Sequence, residues 1–117
     1  MSKIKFNEKH KEILDSFLLD ILIVNPGKMY GYPAYYVGGK LFASLYNDGV
    51  CVKIPEPQVK ELIKKEGIVP FEPMCLKMRE WILINRDNSE DYLKDQDIFE
   101  ASIEFVSSIA GINIKKK

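Results

Sequence analysis

The segment from Lys28 to Ile54 constrains the fold more than any other part of the sequence. It contains three apolar runs rich in strand-favouring residues, separated by the dipeptides Gly38-Gly39 and Asp48-Gly49. Both dipeptides readily adopt the positive φ angles that two-residue hairpin turns require. The segment therefore predicts a three-stranded antiparallel meander.

The two predicted turns fix which side chains share a face of the meander. A two-residue loop at the first turn pairs Tyr35 with Phe42. A two-residue loop at the second turn pairs Tyr46 with Cys51. Alternation along each strand then gives a core face, which consists of Tyr36, Leu41, Ala43, Leu45, Val50, Val52 and Ile54. The opposite face, the predicted second face, mixes aromatic and polar residues, namely Tyr35, Lys40, Phe42, Ser44, Tyr46, Cys51 and Lys53.

Segments with helical periodicity precede and follow the meander in the sequence. Apolar residues repeat at helical spacing over residues 7–24, and we expect Asn25-Pro26-Gly27 to end this helix. Pro57 is suited to the first turn of a short second helix. A further strand is predicted at Trp81, and the apolar stripe over residues 98–109 predicts a last helix. The predicted fold is α+β, an antiparallel sheet built on the meander with helices packed on it, in the order α-β-β-β-α-β-α.

Length and composition limit the class of protein. With 117 residues, of which 46% are hydrophobic and 29% charged, residues 1–117 predict one globular domain. The 17 basic and 17 acidic residues give a formal net charge of zero, so no global field draws the chain to nucleic acid or to an anionic membrane. The sequence shows neither a signal-peptide pattern nor an apolar run of about 20 residues. We therefore expect a cytoplasmic protein without a membrane span.

The sequence contains no set of residues that demands a particular chemistry. His10 is the single histidine and is expected at an exposed helix position, so neither a Ser-His-Asp triad nor a multi-histidine metal site is expected. Cys51 and Cys75 lack CxxC spacing and are expected to be buried, unreactive thiols. The glycines do not form a phosphate-binding pattern. We therefore expect no enzymatic activity, no cofactor and no metal.

Several of these residues together resemble the TfoX amino-terminal domain family, which occurs in bacterial regulators of natural competence. The resemblance rests on Met29-Tyr30-Gly31, Tyr35-Tyr36 before Gly39-Lys40, Phe42-Ala43, Val50-Cys51-Val52-Lys53, Pro70-Phe71 and Trp81, and it covers residues 13–111. The resemblance implies a secretion-chaperone-like α+β fold with no accepted enzymatic activity. The competence regulators also carry a second, carboxy-terminal domain, whereas this sequence ends at Lys117, a few residues after its predicted last helix. We therefore expect a stand-alone domain.

Two functions follow from these expectations. The first is a non-catalytic cytoplasmic binding or regulatory domain, with a candidate interaction surface made of Tyr35, Lys40, Phe42, Tyr46, Cys51 and Lys53. Its partner would be a second copy of the chain or another protein, although a carboxy-terminal helix could instead cover this surface. The alternative is a nucleic-acid-binding accessory protein, in which the aromatic rings stack on bases and the two lysines contact phosphates. The zero net charge disfavours this alternative.

Overall fold

A computed structural model describes residues 6–72 and 78–111 of the chain. Within these ranges six strands form one antiparallel sheet: β1 Val24–Met29, β2 Tyr32–Val37, β3 Lys40–Tyr46, β4 Gly49–Lys53, β5 Ile68–Pro70 and β6 Trp81–Ile84. Their order across the sheet is β1-β2-β3-β4-β6-β5. The predicted meander is thus β2 to β4, and it forms the middle of the sheet.

In the part of the chain that the structure describes, three α-helices accompany the sheet, together with one 3-10 helix at Ser89–Asp95. The α-helices are α1 Glu8–Leu18, α2 Glu56–Leu62 and α3 Gln96–Ala110. The Asn7 side chain caps α1 by accepting from the N–H groups of Lys9 and His10, and Gly111 ends α3 at φ 80°. None of the helices in the described ranges has the length and apolar character needed to cross a membrane. The α+β class with an antiparallel meander is confirmed.

The sheet has two edge strands in addition to the predicted strands. Helix α1 ends at Leu18, earlier than predicted, and Asn25-Pro26-Gly27 lies inside β1 instead of only ending the helix. Strand β5 contains Pro70. Proline is tolerated at an edge because no second neighbouring strand needs the missing N–H group. Prolines in both edge strands also make either edge a poor template for a further strand.

The helices pack on one side of the sheet and form a single core. Leu14 and Leu18 come from α1, Val59 from α2, and Phe99 and Ile103 from α3. They meet strand residues that are buried on the same side, among them Val37, Ala43, Leu45, Val50, Val52, Ile82 and Ile84. We call the opposite side of the sheet the outer face. Its strand residues do not belong to this core cluster.

A β-bulge at Phe42 makes the predicted face wrong for several residues. Tyr36 pairs with Leu41 as predicted, but Tyr35 pairs with Ala43, which leaves Phe42 without a partner in the ladder. Tyr35 and Phe42 are therefore in the core, where they are 2% and 0% exposed, and not on the predicted second face. Tyr36 and Leu41, which were expected in the core, are partly exposed.

The second hairpin turn lies one residue earlier than predicted. Tyr46 pairs with Gly49, so Asn47 and Asp48 form the loop, and Asn47 has a φ of 52°. Gly49 belongs to β4, where an added Cβ atom would lie 2.6 Å from the Asn85 Oδ1 atom. The glycine thus permits the close approach of β6 and is not needed for the turn. Because the pairing shifts by two residues, the side chains after this turn keep their predicted faces.

Replacing Leu18 by alanine tests the position of α1. Leu18 is fully buried in the core cluster, so we expect the free energy of unfolding in urea to fall by about 2–5 kcal/mol. The neighbouring Leu19 is 38% exposed and provides the control, for which we expect a change within about 0.5 kcal/mol. Equal losses in the two variants would show that α1 does not pack on the sheet through this face.

Candidate functional site

Four aromatic side chains form a continuous row across the outer face. The ring centroids of Tyr32 and Tyr46 are 5.3 Å apart, and those of Tyr46 and Phe71 are 5.0 Å apart. The Phe71 and Trp81 rings follow at 6.3 Å. Aromatic pairs at such separations contribute about 0.5–1.5 kcal/mol each beyond the area they bury. We call these four residues the aromatic row.

Strand alternation and one backbone hydrogen bond position the aromatic row. Tyr32 and Tyr46 occupy outer-face positions on the neighbouring strands β2 and β3. Trp81 begins β6, and Phe71 follows β5 and donates its N–H group to the Trp81 carbonyl oxygen at 3.3 Å. Phe71 is 8% exposed, whereas the other three rings are partly exposed. The row is therefore held by neighbouring strands and still reaches solvent.

The described strand residues of the outer face carry very little charge. Among its strand residues in the described ranges, Lys53 is the only charged one. Its Nζ atom lies 3.2 Å from the Glu80 Oε1 atom, so an acidic side chain neutralises it locally. The same Nζ atom is 5.6 Å from the Trp81 ring centroid and 6.0 Å from that of Phe105 in α3, so the amine also approaches the helical layer. Lys53 thus sits beside the Trp81 end of the aromatic row, where a cation–π interaction contributes.

Small buried residues lie between the exposed rings of the outer face. Cys51 is 4% exposed, and its burial raises the pKa of the thiol to about 12. Ser44 pairs with Cys51 across β3 and β4 and donates its hydroxyl to the Leu45 carbonyl oxygen at 2.9 Å. A protonated, buried thiol and a hydrogen-bonded hydroxyl are poor nucleophiles. These residues support the surface and give it no visible reactivity.

Tyr30 occupies an unfavourable backbone position next to the aromatic row. Tyr30 and Gly31 form the two-residue loop between β1 and β2, with φ angles of 52° and 89°. The left-handed region costs a residue with a Cβ atom about 1 kcal/mol, and asparagine, aspartate and glycine are the usual choices there. The Tyr30 side chain is 87% exposed. The turn thus disfavours tyrosine, and the side chain contributes little to the core.

The structure divides the predicted interaction surface. Tyr46, Cys51 and Lys53 lie on the outer face as expected. Tyr35 and Phe42 lie in the core, and Lys40 is an exposed residue that pairs with Val37 at the first hairpin, on the side of the helices. The Tyr35 hydroxyl donates to the Asp15 Oδ1 atom at 2.6 Å, and burial together with this carboxylate raises the pKa of Tyr35. Tyr35 therefore connects β2 to α1 and is not available to a partner.

Three residues of the aromatic row were absent from the predicted surface. The predicted surface does not include Tyr32, although β2 begins at this residue. The alternation of Trp81 with Ile82 indicates opposite faces, but the neighbouring strand decides which face is outer. No pattern in the sequence indicates that Phe71 reaches Tyr46, because that contact depends on the relative positions of β5 and β3.

His10 is buried in the interface of α1 with the 3-10 helix, which corrects the expected exposed position. It is 1% exposed, its Nδ1 atom lies 2.6 Å from the Ser89 Oγ atom, and its ring meets Tyr92 edge to face at 4.8 Å. Burial lowers the pKa of His10, and the Asp48 carboxylate with the backbone carbonyls of Asp48 and Arg86 only partly offsets this effect. Among the described residues, no hydrogen-bond partner lies in good geometry at the buried Nε2 atom. The contact with Ser89 therefore joins two helices inside the protein.

The described residues contain no candidate metal site, and comparison with known proteins gives no relative. Within residues 6–72 and 78–111, no group of three or more His, Cys, Asp or Glu side chains is placed to hold a metal ion. No protein-family model matches the chain, and no curated protein or solved structure shows significant similarity to it. The resemblance to the TfoX amino-terminal domain family stays a prediction. Cys75 lies outside the described residues, so its expected burial also stays a prediction.

The buried position of Cys51 predicts a site-specific lack of reactivity. In the native protein at mildly alkaline pH, we expect iodoacetamide to leave Cys51 unmodified, because its thiol is buried and its pKa is about 12. After unfolding in urea, the same residue should react at the rate of an ordinary thiol. Peptide mass spectrometry resolves the modification at each cysteine. Rapid labelling of Cys51 in the folded protein would contradict the assignment.

The buried imidazole of His10 predicts a loss of stability in mild acid. Because the pKa is lowered in the folded state, the unfolded chain takes up the proton first, near its usual pKa of about 6.5. This contribution to stability is complete above that pH and decreases as the pH falls through the folded-state value. We expect the urea-derived free energy of unfolding to fall less steeply in a His10→Gln variant than in the wild type. Parallel curves for the two proteins would contradict the lowered pKa.

Proposed function

We propose that the chain is a non-catalytic cytoplasmic binding domain and that the outer face binds a protein partner. The observation that carries this proposal is the aromatic row, which places partly exposed rings next to one another on a surface with one charged strand residue. Tyrosine and tryptophan give large contact areas at low entropic cost and are enriched in protein interfaces. The surface therefore has the composition that protein partners recognise.

The position of the core supports this proposal. The described helices pack on the opposite side of the sheet and bury their apolar side chains there. The rings of Tyr32, Tyr46 and Trp81 thus remain at the surface, although contiguous apolar patches are uncommon on monomeric proteins unless they serve binding. Exposed Val69 in β5 extends the same face to the edge of the sheet.

The residues with catalytic potential do not support an enzyme. The Cys51 thiol is buried and its pKa is raised to about 12, and His10 is buried between two helices. Ser89 contacts the Nδ1 atom of the imidazole, but in the described ranges no carboxylate forms a hydrogen bond with the opposite Nε2 atom, as a catalytic triad requires. A binding domain also agrees with what the resemblance to the TfoX amino-terminal domain family implies.

Nucleic acid is the second candidate, and the position of Lys53 over the Trp81 ring favours it. Binding to a phosphate backbone requires several cations, each of which releases counterions. On the outer face Lys53 is already paired with Glu80, and Lys40 lies toward the opposite side. A protein partner therefore fits the charge of this surface better than a polyanion does.

Replacing Tyr46 by serine tests the binding role of the outer face. Tyr46 contacts both Tyr32 and Phe71, so its removal interrupts the aromatic row at its centre. We expect recovery of bound protein in tagged co-purification with quantitative mass spectrometry to fall about tenfold, which corresponds to about 1.4 kcal/mol. A matched Leu93→Ser variant, which changes an exposed residue of the 3-10 helix, should keep the wild-type recovery.

Circular dichroism must show that the Tyr46→Ser variant remains folded. If the folded variant recovers the same proteins in the same amounts as the wild type, the outer face is not the binding surface. Recovery of nucleic acid that decreases steeply with salt would instead favour the second candidate.

A further inference from the structure

We propose that the partner of the outer face is a second copy of this chain, and that Tyr30 anchors the contact. The inference rests on the proposed function, because it uses the same surface, and it adds the identity of the partner. Three observations lead to it: the prolines of the edge strands, the near absence of charge among the described strand residues of the outer face, and the conformation of Tyr30.

The edges of the sheet are poorly suited to self-association. Pro26 lies within β1 and Pro70 within β5, so each exposed edge lacks one backbone donor. Edge-to-edge pairing of two sheets needs an uninterrupted series of donors and acceptors. Contact between two copies through the sheet is therefore directed to the outer face.

The charge of the outer face permits contact with an identical surface. A two-fold interface brings the same patch of both copies together, so a face with excess charge of one sign would repel itself. Lys53 is the one charged strand residue of this face in the described ranges, and Glu80 lies 3.2 Å from its Nζ atom. Two such faces meet without a net like-charge repulsion.

Tyr30 supplies the anchor for this contact. Its backbone φ of 52° is unfavourable for tyrosine, and its side chain is 87% exposed, so neither local conformation nor the core accounts for the residue. Tyrosine is enriched among the residues that dominate binding energy in interfaces. One residue, Gly31, separates Tyr30 from the Tyr32 end of the aromatic row. The conformation therefore presents an aromatic ring beyond the end of the row.

A two-fold axis across the middle of the row makes the two rows antiparallel. The Tyr30 end of each copy then faces the Trp81 end of the other. Lys53 stands beside Trp81 there, so a tyrosine ring can add to the existing cation–π arrangement. This geometry gives each copy one anchor and one receiving site.

Sedimentation velocity over a range of protein concentrations tests the inference with a Tyr30→Asn variant. The substitution gives the turn the Asn-Gly sequence that two-residue loops prefer, so it removes the ring without weakening the fold. We expect the dimer dissociation constant to rise at least about tenfold. At a concentration where both proteins are monomeric, the melting temperature of the variant should equal or exceed that of the wild type. A Leu22→Asn variant, which removes a 98% exposed apolar side chain elsewhere, should leave the dissociation constant unchanged.

Each other outcome overturns the inference. A wild type that is monomeric at all concentrations shows that a second copy is not the partner. A Tyr30→Asn variant that dimerises like the wild type shows that Tyr30 is not an anchor. A variant monomer that melts at a lower temperature shows that Tyr30 stabilises the fold itself, which removes the reason for assigning it to the contact. Equal weakening by Leu22→Asn indicates nonspecific association.

If the wild type is monomeric but Tyr46→Ser still loses a bound protein, only this inference fails. If the wild type forms a dimer and neither dimerisation nor protein recovery changes in Tyr46→Ser, the proposed function fails as well.

Discussion

The β-bulge at Phe42 determines how the helices attach to the sheet. The extra residue shifts the pairing of β2 with β3, so that Tyr35 points into the core instead of toward the outer face. The Tyr35 hydroxyl then reaches Asp15 of α1, which also pairs with Lys11 at 2.7 Å. Phe42 has no partner in the ladder, and its carbonyl oxygen accepts a hydrogen bond from the Ser102 hydroxyl of α3 at 3.3 Å. One irregularity in the ladder thus connects the sheet to two helices.

Polar contacts fix the other end of the helical layer. His10 of α1 meets Ser89 and Tyr92, and the Tyr92 hydroxyl donates to the Ile84 carbonyl oxygen of β6 at 2.9 Å. Arg86 forms a bidentate contact with the buried Asp95 carboxylate, at 2.9 and 2.7 Å. Arg86, Asp95 and the Tyr92 hydroxyl thus have hydrogen-bond partners within a low-dielectric environment, so the helical side of the sheet is closed by specific contacts as well as by apolar packing.

The two faces of the sheet therefore differ in their physical roles. The helical side buries the apolar residues that stabilise the fold, whereas the outer face presents rings that pack on one another and remain partly exposed. Prolines in both edge strands limit contact through the edges, and Lys53, the one charged strand residue of the outer face in the described ranges, is paired with Glu80. Tyr30 adds an exposed ring at a turn that would accommodate asparagine or glycine more easily. These features belong together if the outer face is a surface for contact with protein.

The sequence alone determined the elements whose signals are local. The Gly38-Gly39 turn and the apolar stripe of α3 depend on neighbours within a few residues, and the structure has them as predicted. The α+β class follows from these elements. The tertiary structure decided which side chains are available at the surface. The Phe42 bulge moved Tyr35 into the core because an unpaired residue reverses alternation, and no local pattern marks its position. Strands distant in sequence brought Tyr46, Phe71 and Trp81 together, so the candidate site exists only once the whole sheet has formed.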